Sequence, residues 1–135
     1  MALLAVCSCS FLLGCRGGAE AEDGPPTVPA AGKVVVTKGP SVAQLADRNV
    51  AVAFQSVEQP AMHAVGMIAE DGSFHMATRI DDVVKDGVVA GKHRVCLRVD
   101  ETSAPFVPPK LQSFATSGIV VTVPSEQEIV INIAR

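Results

Sequence analysis

Lys92-His93-Arg94-Val95-Cys96-Leu97-Arg98-Val99-Asp100 alternates between two kinds of side chain. In an extended chain successive side chains point to opposite faces. His93, Val95, Leu97 and Val99 then form an apolar row, and Lys92, Arg94, Cys96 and Arg98 a basic one. The spacing predicts a β-strand with one face on a core and the other in water, Cys96 lying in the wet row. Asn49–Ser56 reads the same way, with Val50, Val52 and Phe54 on one face and Ala51, Ala53 and Gln55 on the other. Gly32–Lys38, Met62–Ala69 and Ser73–Thr78 are further strands, the last with Phe74 and Met76 opposite His75. Gly118–Val123 and Glu128–Ile133 close the series.

Between these runs stand turn residues. Gly39-Pro40 ends the first strand, because Pro offers no amide donor. Glu70-Asp71-Gly72-Ser73 predicts a hairpin with a type I′ turn, since Asp-Gly supplies the positive φ angles. Arg79–Ala90 reads as a loop with its own turn at Asp86-Gly87. Pro105, Pro108 and Pro109 enforce an extended connection. From Gly32 onward no convincing amphipathic helix is found, and Ser41–Arg48 alone has room for a helical turn. Short β-branched segments at regular spacing predict an all-β domain: a seven-stranded antiparallel two-sheet sandwich, prealbumin- or Ig-like. No internal repeats are found.

The chain has 135 residues, enough for one domain with a core of its own. Its net charge of −3 argues against nucleic acid as a partner, because phosphate binding needs a concentrated basic surface. It contains five Phe but no Tyr or Trp, which argues against a platform for stacking sugars or bases.

The N-terminus reads as an address. Residues 1–14 carry no charge and include Leu3-Leu4-Ala5-Val6 and Phe11-Leu12-Leu13. The run is too short to span a bilayer, which takes roughly 20 apolar residues, and has the length of a signal-peptide core. An ordinary signal peptide or a buried N-terminal strand would have a similar composition. Leu12-Leu13-Gly14-Cys15, however, resembles the bacterial lipobox, although no Lys or Arg precedes the run. That resemblance implies cleavage after Gly14 and lipid attachment at Cys15. The next stretch has the composition of a tether: residues 15–31 are rich in Gly, Ala, Glu and Pro and have no hydrophobic period. The expected organisation is therefore a lipoprotein signal peptide over 1–14, a flexible tether over 15–31 and a β-sandwich over 32–135. Cys7 and Cys9 leave with the signal and Cys15 takes the lipid. Cys96 is left alone and no internal disulfide is expected.

The domain also resembles a known group. Gly32-Lys33-Val34, the Asn49-Val50-x-Val52-x-Phe54 strand, Gly66 before Asp71-Gly72-x-Phe74, and Asp86-Gly87-x-x-x-Gly91-Lys92-x-Arg94-Val95 resemble the carboxypeptidase-regulatory-like, transthyretin-related sandwich. Pro108-Pro109-Lys110, Thr116-Ser117-Gly118 and the closing Val/Ile strands are similar to the form found in small planctomycete lipoproteins. His93 stands where that family usually has Tyr, and Ala90 where it often has Pro. The resemblance implies a non-catalytic β-sandwich module.

Candidate chemistry is sparse. A zinc site needs three or four convergent ligands; His93 is predicted to face the core and His75 to face away, so with His63 they are not expected to meet. Asp82 to Gly87 follows a calcium loop superficially, but Val84 takes its third position and His93 its twelfth. Gly87-Val88-Val89-Ala90-Gly91-Lys92 is one residue short of a phosphate loop, and a strand comes after it. Neither G-x-S-x-G nor H-E-x-x-H occurs. No metal, cofactor or catalytic residue is expected.

The features with binding content are the basic stripe Lys92, Arg94 and Arg98 and the aromatics Phe106 and Phe114 flanking the proline segment. A cationic sheet face suits anionic lipid headgroups or an acidic partner. Cys96 in that row is either a small half-buried residue or a free thiol, whose pKa the neighbouring cations would lower if it is exposed. Open sheet edges suit addition of a partner's strand. The expectation is an exported lipoprotein, held on a bacterial membrane through Cys15 and facing periplasm or cell surface. It would serve as a structural or protein-interaction module of the envelope. The alternative is a sandwich that binds a small molecule or glycan, and solvent exposure of Phe106 and Phe114 in one patch is what would favour it.

Overall fold

The computed structural model describes residues 26–80 and 82–134. The expected signal peptide, Cys15 and most of the expected tether lie outside the described residues. The described chain is mostly β. A six-stranded sheet contains β3 (Ala51–Ser56), β4 (His63–Met67), β6 (Ala77–Ile80), β7 (Val83–Asp86), β9 (Gly91–Arg98) and β10 (Ile119–Val123). Their order is β10-β9-β3-β4-β6-β7. A three-stranded sheet contains β2 (Ala31–Lys38), β5 (Ser73–His75) and β11 (Ile129–Ala134), in the order β11-β2-β5. A two-stranded pair joins β1 (Thr27–Val28) to β8 (Val88–Val89).

The two larger sheets share one core. Val34 of β2, Phe74 of β5 and Ile131 of β11 pack with Val52, Phe54, Val95 and Leu97 of the six-stranded sheet. Phe54 meets Phe74 edge-on, with ring centroids 6.5 Å apart. This is a sandwich-like arrangement, and the period-two pattern of β3 and β9 places those residues on the inner face.

Several expectations are corrected. The pairing is not wholly antiparallel, because β11 runs parallel to β2, Ile131 opposite Val34. Folded chain begins before Gly32: Thr27 and Val28 pair with Val89 and Val88, and Ala30 is buried. The segment expected as the strand Ser73–Thr78 is divided between sheets, β5 joining β2 and β6 joining β4. Between them the Met76 amide donates to the Ala30 carbonyl at 2.8 Å.

The turn at Asp71-Gly72 is also of another type. Gly72 has φ +90°, whereas Asp71 is not among the positive-φ residues. The Asp71 carboxylate accepts from the Ser73 amide at 2.9 Å and the Ser73 hydroxyl at 2.6 Å. These bonds fix an Asx turn, and hold the carboxyl below its ordinary pKa. The loop closes as three residues, Ala69 N donating to Ser73 O at 2.8 Å, the geometry in which one glycine supplies the left-handed position.

Arg79–Ala90 is not a loop but holds β7 and β8. Turn residues at both ends, Asp82 with φ +67° and Gly87 with φ +87°, disguise a strand only four residues long. The helical turn expected within Ser41–Arg48 is α1 (Val42–Asp47). Ser41 and Gln44 form a capping box and Leu45 is buried. The proline connection is folded as well. Ala104–Phe106 and Pro109–Gln112 are 3₁₀ turns, each with Pro in its first turn, where the missing amide costs nothing. Helix α2 (Phe114–Ser117) comes next, capped by the Ser113 hydroxyl. Val107 and Leu111 reach the core from this segment. No helix among the described residues is long and apolar enough to cross a membrane.

Candidate functional site

Strand register decides which side chains share the outer face of the six-stranded sheet. Phe54 lies opposite Val95 and Ala64, so Gln55, one residue on, turns outward with its partners Arg94 and His63. Ala53 pairs with Cys96 and Val65, and Val65 with Ala77. Arg79 pairs with Val84 on the same face.

The outer face is only partly wet. Ala51, Ala53 and Cys96 point away from the core, yet all three are buried, Cys96 at 4% exposure. The connection before β10 folds back over β9. The Ser117 hydroxyl donates to the Val95 carbonyl, and the Phe114 ring reaches across to His63 at 5.6 Å. The expectation of Cys96 in a solvated row is therefore corrected. Burial pushes its thiol pKa up, partly opposed by Arg98. Because the thiolate is the nucleophile, iodoacetamide should modify native Cys96 at least about tenfold more slowly than the unfolded chain. Mass spectrometry with and without guanidinium measures this; equal rates would contradict the burial.

The basic stripe separates into two parts. Lys92 and Arg94 are exposed beside β10, paired with Thr122 and Val120. Arg98 instead lines a groove of about 740 Å³ with His63 and Val65 of β4, Ala77 and Arg79 of β6, and Val84 of β7. The floor is apolar and the rim carries two guanidiniums and one imidazole. The Gln55 side-chain amide donates to Pro60 O at 3.2 Å and to His63 Nε2 at 3.4 Å, which orients the ring. Asp82, also on the rim, lies 3.7 Å from Arg79. Both groups are strongly exposed, and such pairs hold weakly. Asp86 is engaged elsewhere, accepting from His75 Nε2 at 2.5 Å.

Phe106 and Phe114 do not form one exposed patch. Both are half-buried; the Arg48 guanidinium covers Phe106 at 3.7 Å, while Phe114 lies against His63. The three histidines stand apart. His93 is buried against Phe54, donating through Nε2 to the Val89 carbonyl at 2.7 Å. Its Nδ1 has no partner among the described residues. His75 is exposed beside Asp86, and His63 is on the groove. Among the described residues no three metal-ligating side chains gather.

The chain matches no family model, no curated protein and no solved structure. The groove must therefore be read from its own chemistry. Of the groove's lining only Arg98 is among the binding residues expected from the sequence; His63, Val65, Ala77, Arg79 and Val84 were missed in that role. The outward phase of Ala77 and Arg79 was the available signal, but nothing local aligns Arg79 with Arg98, two intervening strands away.

Proposed function

We propose that the chain is a membrane-anchored extracytoplasmic lipoprotein whose β-domain acts by binding rather than by catalysis. It serves as an interaction module of a bacterial envelope. The observation that carries the binding part is the groove: an apolar floor, a cationic rim and an adjoining sheet edge. Such a surface suits recognition, because apolar area contributes affinity while charge selects the partner. Anchoring is supported by Leu12-Leu13-Gly14-Cys15 and the Pro- and Gly-rich stretch behind it. The finer fold class, a prealbumin-like sandwich of the carboxypeptidase-regulatory-like kind, is part of the same proposal. It rests on the order and spacing of motifs running from Gly32-Lys33-Val34 to Gly91-Lys92-x-Arg94-Val95.

A glycan site is the weaker reading. Sugars stack on free ring faces, and Phe106 already carries a guanidinium on one of its own.

The anchor is tested by fractionating cells that express the wild-type chain or Cys15→Ala. Each buried CH₂ of an acyl chain contributes about 0.8 kcal/mol, and two or more chains hold a protein firmly. The wild type should sediment with membranes and the variant should become soluble. Equal membrane retention of both would overturn the anchor.

A further inference from the structure

We infer that the outer face of the six-stranded sheet rests on the anionic headgroups of the bilayer that holds the chain. This depends on the proposed anchor at Cys15 and names what the groove's face meets. The first observation is the charge on that face. Lys92, Arg94 and Arg98 of β9 and Arg79 of β6 all point away from the core and all are exposed. No carboxylate among the described residues forms an ion pair with Lys92, Arg94 or Arg98. The two carboxylates on the face stand at its β7 margin and have partners there: Asp82 lies 3.7 Å from Arg79, and Asp86 accepts from His75. The connection that folds back over β9, residues 109–117, carries Lys110 and no acid. The other sheet offers much less. Val34 and Ile131 point inward as a pair, so Lys33, Val35, Val130 and Asn132 alternate outward, with a single cation.

The second observation is apolar. Val120 of β10, Met67 of β4 and Val84 of β7 share the cationic face, and each is more than half exposed. Cations set among exposed apolar side chains suit a headgroup layer, which attracts the charges and takes up the apolar area beside them.

The third observation is where the chain enters. The Thr27 hydroxyl donates to the Asp86 carbonyl at 2.7 Å, so the stretch from Cys15 joins the domain at the β7 margin of this same sheet. However it is arranged, the segment from Cys15 to Thr27 spans at most about 43 Å. That is little more than the width of a domain whose radius of gyration is about 13 Å. The domain therefore stays beside the bilayer, and attachment at a sheet margin lets either sheet turn towards it. Charge selects the six-stranded one. An acidic protein would meet the same cations, but only the bilayer is held against them by the chain itself.

The test uses the ¹⁵N-labelled chain, expressed in full and extracted from membranes with its lipid. It is placed in nanodiscs of phosphatidylcholine and phosphatidylglycerol that carry a headgroup spin label. Each Lys or Arg near an anionic surface favours contact roughly fivefold. The Arg94 and Val120 amides should therefore broaden at least about threefold more than those of Val35 and Val130. The preference should vanish in pure phosphatidylcholine, fall as salt is raised, and be lost in the combined variant Lys92→Glu and Arg94→Glu. Both side chains are exposed, so the Val34 and Ile131 resonances of the variant should stay in place, which separates lost contact from lost fold. Four results would overturn the proposal. One is equal broadening of the two faces, or stronger broadening at Val35 and Val130. Another is the same preference in pure phosphatidylcholine, which would make the contact apolar alone. A third is release of the face by added polyglutamate that shifts the same amides, which would make an acidic protein the occupant. The fourth is a preference that emerges only when Glu20, Glu22 and Asp23 are replaced by their amides, which would make the chain's own acids the occupant. An acylated chain without face preference strikes this inference alone; a chain with no acyl mass on Cys15 strikes the anchor, and this inference with it.

Discussion

Phe54→Ala should lower the free energy of unfolding by about 3–5 kcal/mol. Phe54 has no exposed surface. Its ring meets Phe74 of the other sheet edge-on and lies 5.6 Å from His93 on the neighbouring strand. Truncation therefore opens a cavity between the sheets and removes an aromatic pair worth roughly 0.5–1.5 kcal/mol beyond its area. A domain of this size has about 5–15 kcal/mol in all, so the loss is a large share. Guanidinium unfolding followed by circular dichroism measures it, and Phe54→Leu should restore much of the difference. An unchanged midpoint for the Ala variant would mean that the ring does not join the two sheets.

Gly87→Ala should be nearly as damaging, for a different reason. Gly87 has φ +87°, and a Cβ there would stand 2.2 Å from the Val28 carbonyl oxygen. The backbone conformation alone costs a non-glycine residue roughly 1–3 kcal/mol. The contact cannot be relieved by a rotamer, because the obstructing atom belongs to the main chain. β1 must then move off β8, and its pairing is lost as well. Hydrogen exchange should show the Val88 amide, which pairs with Val28, opening at least about tenfold faster, together with new proteolysis near Thr27. Exchange unchanged at Val88 would mean that β1 does not depend on this close approach.

How much of this was legible in the sequence depends on the range of the interaction. β3 and β9 were readable because alternation is local: Val52 and Phe54, and Val95 and Leu97, declare their face within a few residues. The burial of Cys96 was not readable. A period-two pattern separates two faces but does not say what returns over the second, and the cover comes from Phe114 and Ser117. Val107 and Leu111 lie among prolines with neither strand nor helix period, so nothing marked them as core. β7 escaped notice because Val83 and Val84 are both exposed, leaving no polarity contrast to detect. The site shows the same division. Lys92, Arg94 and Arg98 were visible as one stripe, but only Arg98 of the three lines the groove. His63, Arg79 and Val84 join it through ladders with β3, β6 and β7, and register is a property of paired strands.

The parallel pairing of β2 with β11 has a consequence for the order of events in the cell. Thr37 donates to the Ile133 carbonyl across 96 positions of chain. Three isoleucines of β11, Ile129, Ile131 and Ile133, complete the core that β2 opens. Contacts of such sequence separation make folding slow compared with locally wired domains. Residues Gly32 to Val36 acquire their neighbours on that side only when Ile129 to Ile133 arrive. Until then a ribosome-bound chain holds an incomplete core and a β2 strand open along that side. For the exported lipoprotein proposed above that delay is an advantage, since a polypeptide that has not yet closed on itself is one that can still be threaded.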